Sequence, residues 1–330
     1  MTASINPIRI LFRRMRLSAQ CRPMSSFSVS DDVEIAYEAY GSSDDKATNP
    51  LIICHGLFGQ KRNWHSICKE LQRRLGNQIY AIDLRNHGDS SHTEEHTFTT
   101  MSEDIRAFIT GKVLKEAEFE RVFLLGHSMG GKAAARVALN QPSGSDLSQR
   151  LIEKLIIEDI APHRQYTDSD VPELIDAMKS IKLYKSRKEI SEDLKQRVPN
   201  DSVRQFLLTN LDDDPKDKGL FRWKCNLNSV DQCVNEIVIG KTPYSGPTLV
   251  LIGAKSSYVR SEDHDKILEA FPKAEFVVVP DAVEFVMESS KKLISELKVN
   301  ELRAELEKRG LDKGGVKVTL LERLEKLVMM

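Results

Sequence analysis

The chain has no run of 18 apolar residues, so nothing in it is built to span a bilayer. It has no CxxC pair. Its five cysteines, Cys21, Cys54, Cys68, Cys225 and Cys233, are odd in number and scattered. That pattern argues against a disulfide framework or a zinc site and fits a reducing compartment, and no metal or cofactor is expected. Neither charge is in excess, with Lys plus Arg at 48 and Asp plus Glu at 49. Any nucleic-acid or membrane partner therefore has to be met by a local patch. Acidic residues are absent from the first thirty positions, and histidine is absent after His264. What is present is 330 residues at 40% hydrophobic content, enough for one substantial core with room for a small second one.

The acid-free start has its own pattern. Arg9, Arg13, Arg14, Arg16 and Arg22 alternate with Ile8, Ile10, Leu11, Phe12, Met15 and Leu17, and Ser18, Ser25, Ser26 and Ser28 follow. A helix there is cationic and amphipathic, the composition of a mitochondrial transit peptide over residues 1–26. A secretory signal needs an uninterrupted apolar stretch, which is missing. The expected location is the mitochondrial matrix; the plainer alternative is a basic tail without structure.

From residue 50 onward short apolar runs alternate with helical patterns. Strands are expected at 51–54, 78–84, 121–125, 154–160, 248–252 and 274–279. Helices are expected near 64–75, 101–113, 129–139 and 263–271. This alternation means a mostly parallel sheet wrapped by helices, an α/β class fold over residues 27–282. Between about 163 and 240 the strands stop, and a charged, helix-prone insert sits where a cap over an active site belongs.

Gly126-His127-Ser128-Met129-Gly130 is a G-x-S-x-G with a strand before it and a helix after it. Glycines are needed because the nucleophile sits on a tight turn that side chains at both flanks would obstruct. Ser128 is then the nucleophile, and the Met129 N–H faces the developing oxyanion. His55-Gly56-Leu57-Phe58-Gly59, directly after the strand at 51–54, is the loop from which Leu57 or Phe58 supplies the second N–H.

These two motifs, with Asp83-Leu84-Arg85-Asn86-His87-Gly88-Asp89-Ser90, resemble the abhydrolase-domain-containing protein 11 family of mitochondrial serine hydrolases and its bacterial esterase relatives. The likeness runs on through Asp159-Ile160-Ala161-Pro162, Leu207-Leu208-Thr209-Asn210-Leu211 and Phe221-Arg222-Trp223 to Phe276-Val277-Val278-Val279-Pro280. It covers about 250 residues and implies an α/β-hydrolase fold, a small acyl ester or thioester substrate and an acyl-enzyme on Ser128.

The pattern then breaks. In the family a Gly-His pair follows the final strand, but Val283 and Glu284 stand there here. Glu284 is no simple substitute, since an ordinary carboxylate near pKa ~4.3 is a weak base for a hydroxyl. Losing the base costs on the order of 10⁶ in turnover, roughly 8 kcal/mol of barrier. His264, at the start of the helix before the final strand, is the surrogate to weigh, although that place suits a surface residue better. The acid is assigned to Asp159, at the end of the strand after Ser128, with capping of local N–H groups as its alternative role. Asn228 stands where relatives can carry Asp, and it cannot ionise.

The last forty residues form a different unit. Residues 293–310 read as a helix stopped by Gly310, residues 311–317 as a turn, and Leu320, Leu321 and Leu324 as the stripe of a second helix. Residues 291–330 resemble the SAP module, a helix–extended–helix DNA-binding motif of the scaffold-attachment-factor type. Arg309, Lys313, Lys317 and Arg323 are its candidates for phosphate contact, with weak, salt-sensitive binding to DNA or RNA and a nuclear location if this module dominates. A plain solvated helical hairpin is the alternative. The hydrolase likeness stops near Ala282, before the domain's final helix, and the SAP-like segment starts near Met287. The chain is then either a fusion or a joined pair of transcripts. Three functional readings follow: an acyl hydrolase with a displaced base, a hydrolase-fold protein without turnover, or a nucleic-acid binder.

Overall fold

The computed structural model describes residues 25–279, leaving out 31, 42–48, 117–118, 141–150, 167–168, 185 and 241. The leader up to residue 24, Glu284 and the SAP-like segment lie outside the described residues.

Eight strands form one sheet, in the order β1-β2-β4-β3-β5-β6-β9-β10. They are β1 (Ser25–Ser30), β2 (Val33–Tyr40), β3 (Leu51–Cys54), β4 (Ile79–Ile82), β5 (Val122–His127), β6 (Ile152–Glu158), β9 (Thr248–Gly253) and β10 (Ala274–Val279). From β4 to β10 every neighbouring pair is parallel, whereas β1 with β2 and β2 with β4 are antiparallel. Parallel strands need helical crossovers, and these cover both faces. α1 (His65–Leu75) lies on the face of Leu51, Ile53, Phe123, Leu125 and Ile156. α2 (Phe98–Phe108), the single turn α3 (Leu114–Glu116) and α4 (Met129–Leu139) follow, with α2 and α4 lying on the face of Ile52, Tyr80, Leu124 and Leu155. Burial on both faces is why these strands read as unbroken apolar runs.

The cap holds α5 (Val171–Ser180), α6 (Arg187–Lys195), α7 (Asp201–Leu208) and a hairpin of β7 (Leu211–Asp213) and β8 (Phe221–Trp223). α8 (His264–Ala270) joins β9 to β10.

Three differences from the sequence reading have physical causes. The antiparallel entry strands β1 and β2 were not expected; Ser25 and Ser26, the last two residues assigned to the leader, pair with Tyr37 and Ala36. Phe27 anchors this edge against Phe108, and it fits because residue 111 is glycine: a Cβ there would lie 2.6 Å from the Phe27 ring. Second, the cap is not free of strands, since its three-residue hairpin is too short and too charged to show a period. Third, the helix expected at 101–113 starts earlier, at Phe98, where Thr97 accepts from Thr100 N–H as an N-cap, and ends in a π-turn over Ile109–Val113.

The register brings the carboxyl ends of the parallel strands to one edge. Cys54 lies beside Gly126, His127 beside Glu158, Glu158 beside Leu251 and Gly253 beside Val279. Ligands of open α/β sheets bind at this edge.

Candidate active site

Ser128 caps α4 with φ 49° and ψ −115°, a conformation L-residues rarely hold. It persists because its surroundings fix it: Ser128 N–H donates to Glu158 O at 2.9 Å, and Lys132 N–H donates back to Ser128 O at 3.0 Å. The glycines are steric necessities. A Cβ at Gly126 would run into the Gly130 carbonyl, and one at Gly130 would lie 2.5 Å from both Cys54 O and His55 O. A Cβ at Gly56 would meet His127 Nδ1 at 2.6 Å. The turn is thus tight enough to leave Ser128 partly exposed between two buried neighbours, His127 and Met129.

The loop after β3 faces it. Of its two candidate donors, Phe58 spends its N–H on His87 Nε2 at 3.2 Å, so that amide is committed elsewhere. Leu57 N–H makes no hydrogen bond among the described residues. Met129 N–H, in the first turn of α4, has no intrahelical carbonyl to meet. Phe58 sits at φ 59° and is gripped from both sides, with its carbonyl accepting from Asn210 Nδ2 at 2.6 Å. Gly59 N–H closes the loop onto Gly56 O at 2.9 Å, and Gln60 Nε2 reaches Thr209 O at 3.1 Å.

Asp159 is buried at the end of β6 with φ 55°, and its Oδ1 accepts from Gly253 N–H at 3.1 Å. It is therefore one strand over from Ser128 on the same edge, and it also caps a backbone N–H. Asn228 lies exposed in a turn, its N–H on Asn226 Oδ1 at 3.3 Å.

All eight histidines of the chain lie in the described region, and none is hydrogen-bonded to Ser128. His55 and His87 are buried in neutral tautomers that the bonds define. Nε2 of His55 accepts from Leu84 N–H and that of His87 from Phe58 N–H, while each Nδ1–H donates to a carbonyl. His65 pairs with Tyr40, His92 with Lys224 O and His96 with Asn86. His127, pushed down to about 4 by burial, packs against Trp64. His163 donates to Asp263 Oδ1 at 2.9 Å. His264 is stacked on Phe276, ring centroids 4.0 Å apart, and is not brought to Ser128.

The group that does touch Ser128 is a tyrosine. Oγ lies 3.1 Å from the Tyr166 hydroxyl. The sequence reading passed over Tyr166 because the pair is 38 residues apart and follows no motif; its place seven residues after Asp159 was the only available signal. Lys132, buried in α4, sets its ammonium over the Tyr166 ring at 4.4 Å and donates to the carbonyls of Arg164 and Glu236. Burial holds that ammonium down to about 8.

A strand-to-helix elbow, an opposed glycine loop and a parallel sheet define an α/β-hydrolase. The family model for the α/β-hydrolase fold matches residues 49–187, and that for the SAP domain matches residues 293–329. The sn-1-specific diacylglycerol lipase ABHD11 of Danio rerio is 36% identical over 79% of this chain and 80% of its own length. That of Mus musculus is 34% identical over 81% and 85%. A solved marine microorganism esterase superposes with a TM-score of 0.68 at 33% identity, over 83% of this chain and 98% of its own. The chain belongs to the abhydrolase-domain-containing protein 11 family and carries a SAP domain at its C-terminal end. Arg309, Lys313, Lys317 and Arg323 fall within the matched SAP residues and outside the described ones. Among the described residues no helix is long and apolar enough to cross a membrane, and no cluster of three His, Cys, Asp or Glu is placed for a metal ion.

Proposed function

We propose that this chain hydrolyses a small acyl ester or thioester through Ser128, with Leu57 and Met129 N–H groups holding the oxyanion and Asp159 as the acidic member of the site. The carrying observation is the partly exposed Ser128 at φ 49°, packed against the glycine loop so closely that a Cβ at Gly56 would lie 3.3 Å from its own. The names of the relatives, diacylglycerol lipase and esterase, support an ester of a lipid alcohol as substrate. With no histidine on Ser128, turnover falls well below that of a complete triad. A fluorophosphonate probe tests the reading: wild type is labelled, Ser128→Ala is not. Equal labelling of both removes Ser128 as nucleophile.

A second activity is proposed for the C-terminal end on the strength of the SAP match at 293–329. There Arg309, Lys313, Lys317 and Arg323 contact nucleic-acid phosphates, weakly and with steep salt dependence. A gel shift with AT-rich duplex, lost on deleting residues 291–330, is the expected outcome. Residues 1–26 are proposed to direct the chain to the mitochondrial matrix, on their acid-free arginine pattern. Imaging a fluorescent fusion with and without them tests this, and nuclear signal in the full chain overturns it.

A further inference from the structure

No histidine of this chain is hydrogen-bonded to Ser128, so a hydrolase built on Ser128 needs another path for its proton. The Tyr166 hydroxyl is the one side-chain group hydrogen-bonded to Oγ among the described residues, at 3.1 Å. Ser128 is in turn its only hydrogen-bond partner among the described residues. Its placement is not loose. Tyr166 is 1% exposed, its N–H donates to Val234 O at 2.9 Å, and its carbonyl accepts from Ser169 N–H and Oγ. Its ring meets Tyr258 edge-on at 6.1 Å while the Lys132 ammonium lies over one face. A cation held there stabilises negative charge as it builds on the phenol oxygen.

We propose that the Tyr166 hydroxyl carries the Ser128 proton to the leaving group, an inference that rests on Ser128 being the nucleophile. Oγ bonds to the acyl carbon, and the carbonyl π pair moves onto its oxygen. As the adduct collapses, the bond from acyl carbon to leaving oxygen or sulfur breaks. The leaving atom takes the phenolic proton, and the Oγ proton takes its place on Tyr166. Deacylation repeats the exchange with water as nucleophile: a water proton passes to the phenol oxygen, the phenolic proton to Oγ. Tyr166 ends each half-reaction as it began, and no separate base is consumed. Burial pushes this phenol well above its ordinary range, so it stays protonated and can donate throughout. The titratable groups facing it are Lys132 from α4, Cys233 from the cap, Tyr258 and Asp159.

The test compares wild type and Tyr166→Phe, full chain, on an ethyl ester and a nitrophenyl ester of one short acid. The alkoxide must be protonated to leave, and the nitrophenolate need not. The expected result is a loss on the order of a hundredfold in kcat/KM, which reports acylation and not the deacylation both esters share, on the ethyl ester and a much smaller one on the nitrophenyl ester. Unchanged or faster turnover of both by Tyr166→Phe overturns the inference, since the hydroxyl is then a bolt on Oγ. Equal losses overturn the transfer to the leaving group. Wild type alone gives a second arm. Its kcat shows no inflection near pH ~6.5, where a histidine base titrates, and an inflection there overturns the shuttle even if Tyr166→Phe fails to fold. An unlabelled wild type removes the nucleophile reading itself, whereas a labelled wild type with an undiminished variant removes only the shuttle.

Discussion

At position 126 a single methyl group decides whether the elbow can exist. Alanine there would drive its Cβ into the Gly130 carbonyl, which belongs to the helix backbone and cannot turn aside. Gly126→Ala is expected to cost on the order of 3 kcal/mol in urea unfolding and to abolish probe labelling. Asn210 shows a milder dependence. Its amide fixes the Phe58 carbonyl from across the cap, so Asn210→Ala should cost about 1–2 kcal/mol. The Leu57 amide would then be held less firmly, and kcat should fall more than KM rises. A third residue-scale consequence concerns pH. Burial holds His55 at about 4, below the ~6.5 of an unfolded histidine. The unfolded chain therefore binds this proton first as pH falls. The neutral ring's contribution is intact above pH ~6.5 and is lost at about 1.4 kcal/mol per unit on the way down to about 4. Melting curves from pH 7 to 5 should fall less steeply in His55→Gln than in wild type.

Elements whose sequence carries a period or a steric rule were legible, and those held by distant partners were not. α4 runs from Met129 to Leu139 as read, because Gly130 and Gly131 mark its start and Ala133, Ala134, Val137 and Ala138 its buried side. β10 also matched its reading, an apolar run with few alternatives. β1 was missed: Ser25–Ser30 is four serines with only Phe27 and Val29 half-buried, and pairing with β2 makes it a strand. Within the site, Ser128 and the glycine loop could be read from spacing. That Phe58 gives its N–H to His87, and that Tyr166 reaches Oγ, depend on contacts between segments 29 and 38 residues apart. No local pattern encodes those. The loop after β4 makes the same point. Gly88 is glycine because Asp83's carboxylate occupies the space of its Cβ, and that carboxylate accepts from Lys61 Nζ at 2.5 Å and from Asp89 N–H at 2.9 Å. Asp89 is itself half-buried, which alone would raise its pKa, yet Lys224 and Lys61 hold it down to about 2. Lys224→Met removes one of two counter-charges from Asp89, and thermal unfolding should show a loss of about 2 kcal/mol.

Across the whole molecule, the cap is joined to the loop after β4 and to α2 by polar ties and not by apolar contact alone. Asn226 N–H donates to Asn86 O at 2.9 Å, and its side chain reaches Asn86 Oδ1 and Thr93 O, both at 3.1 Å. Ser229 adds a bond to Thr93 O at 2.8 Å and Gln232 one to Glu94 O at 2.7 Å. Glu236 accepts from Phe98 N–H at 2.8 Å and so caps α2 from across the chain. Each such bond costs about 1 kcal/mol or more to break without replacement. A roof riveted this way does not swing up when it meets an oil droplet. An ester is then expected to be taken one molecule at a time from solution. Hydrolysis should then follow the concentration of dispersed monomer and show no jump at the point where a short-chain ester begins to form micelles. A sharp rise there would mean that the rivets give way.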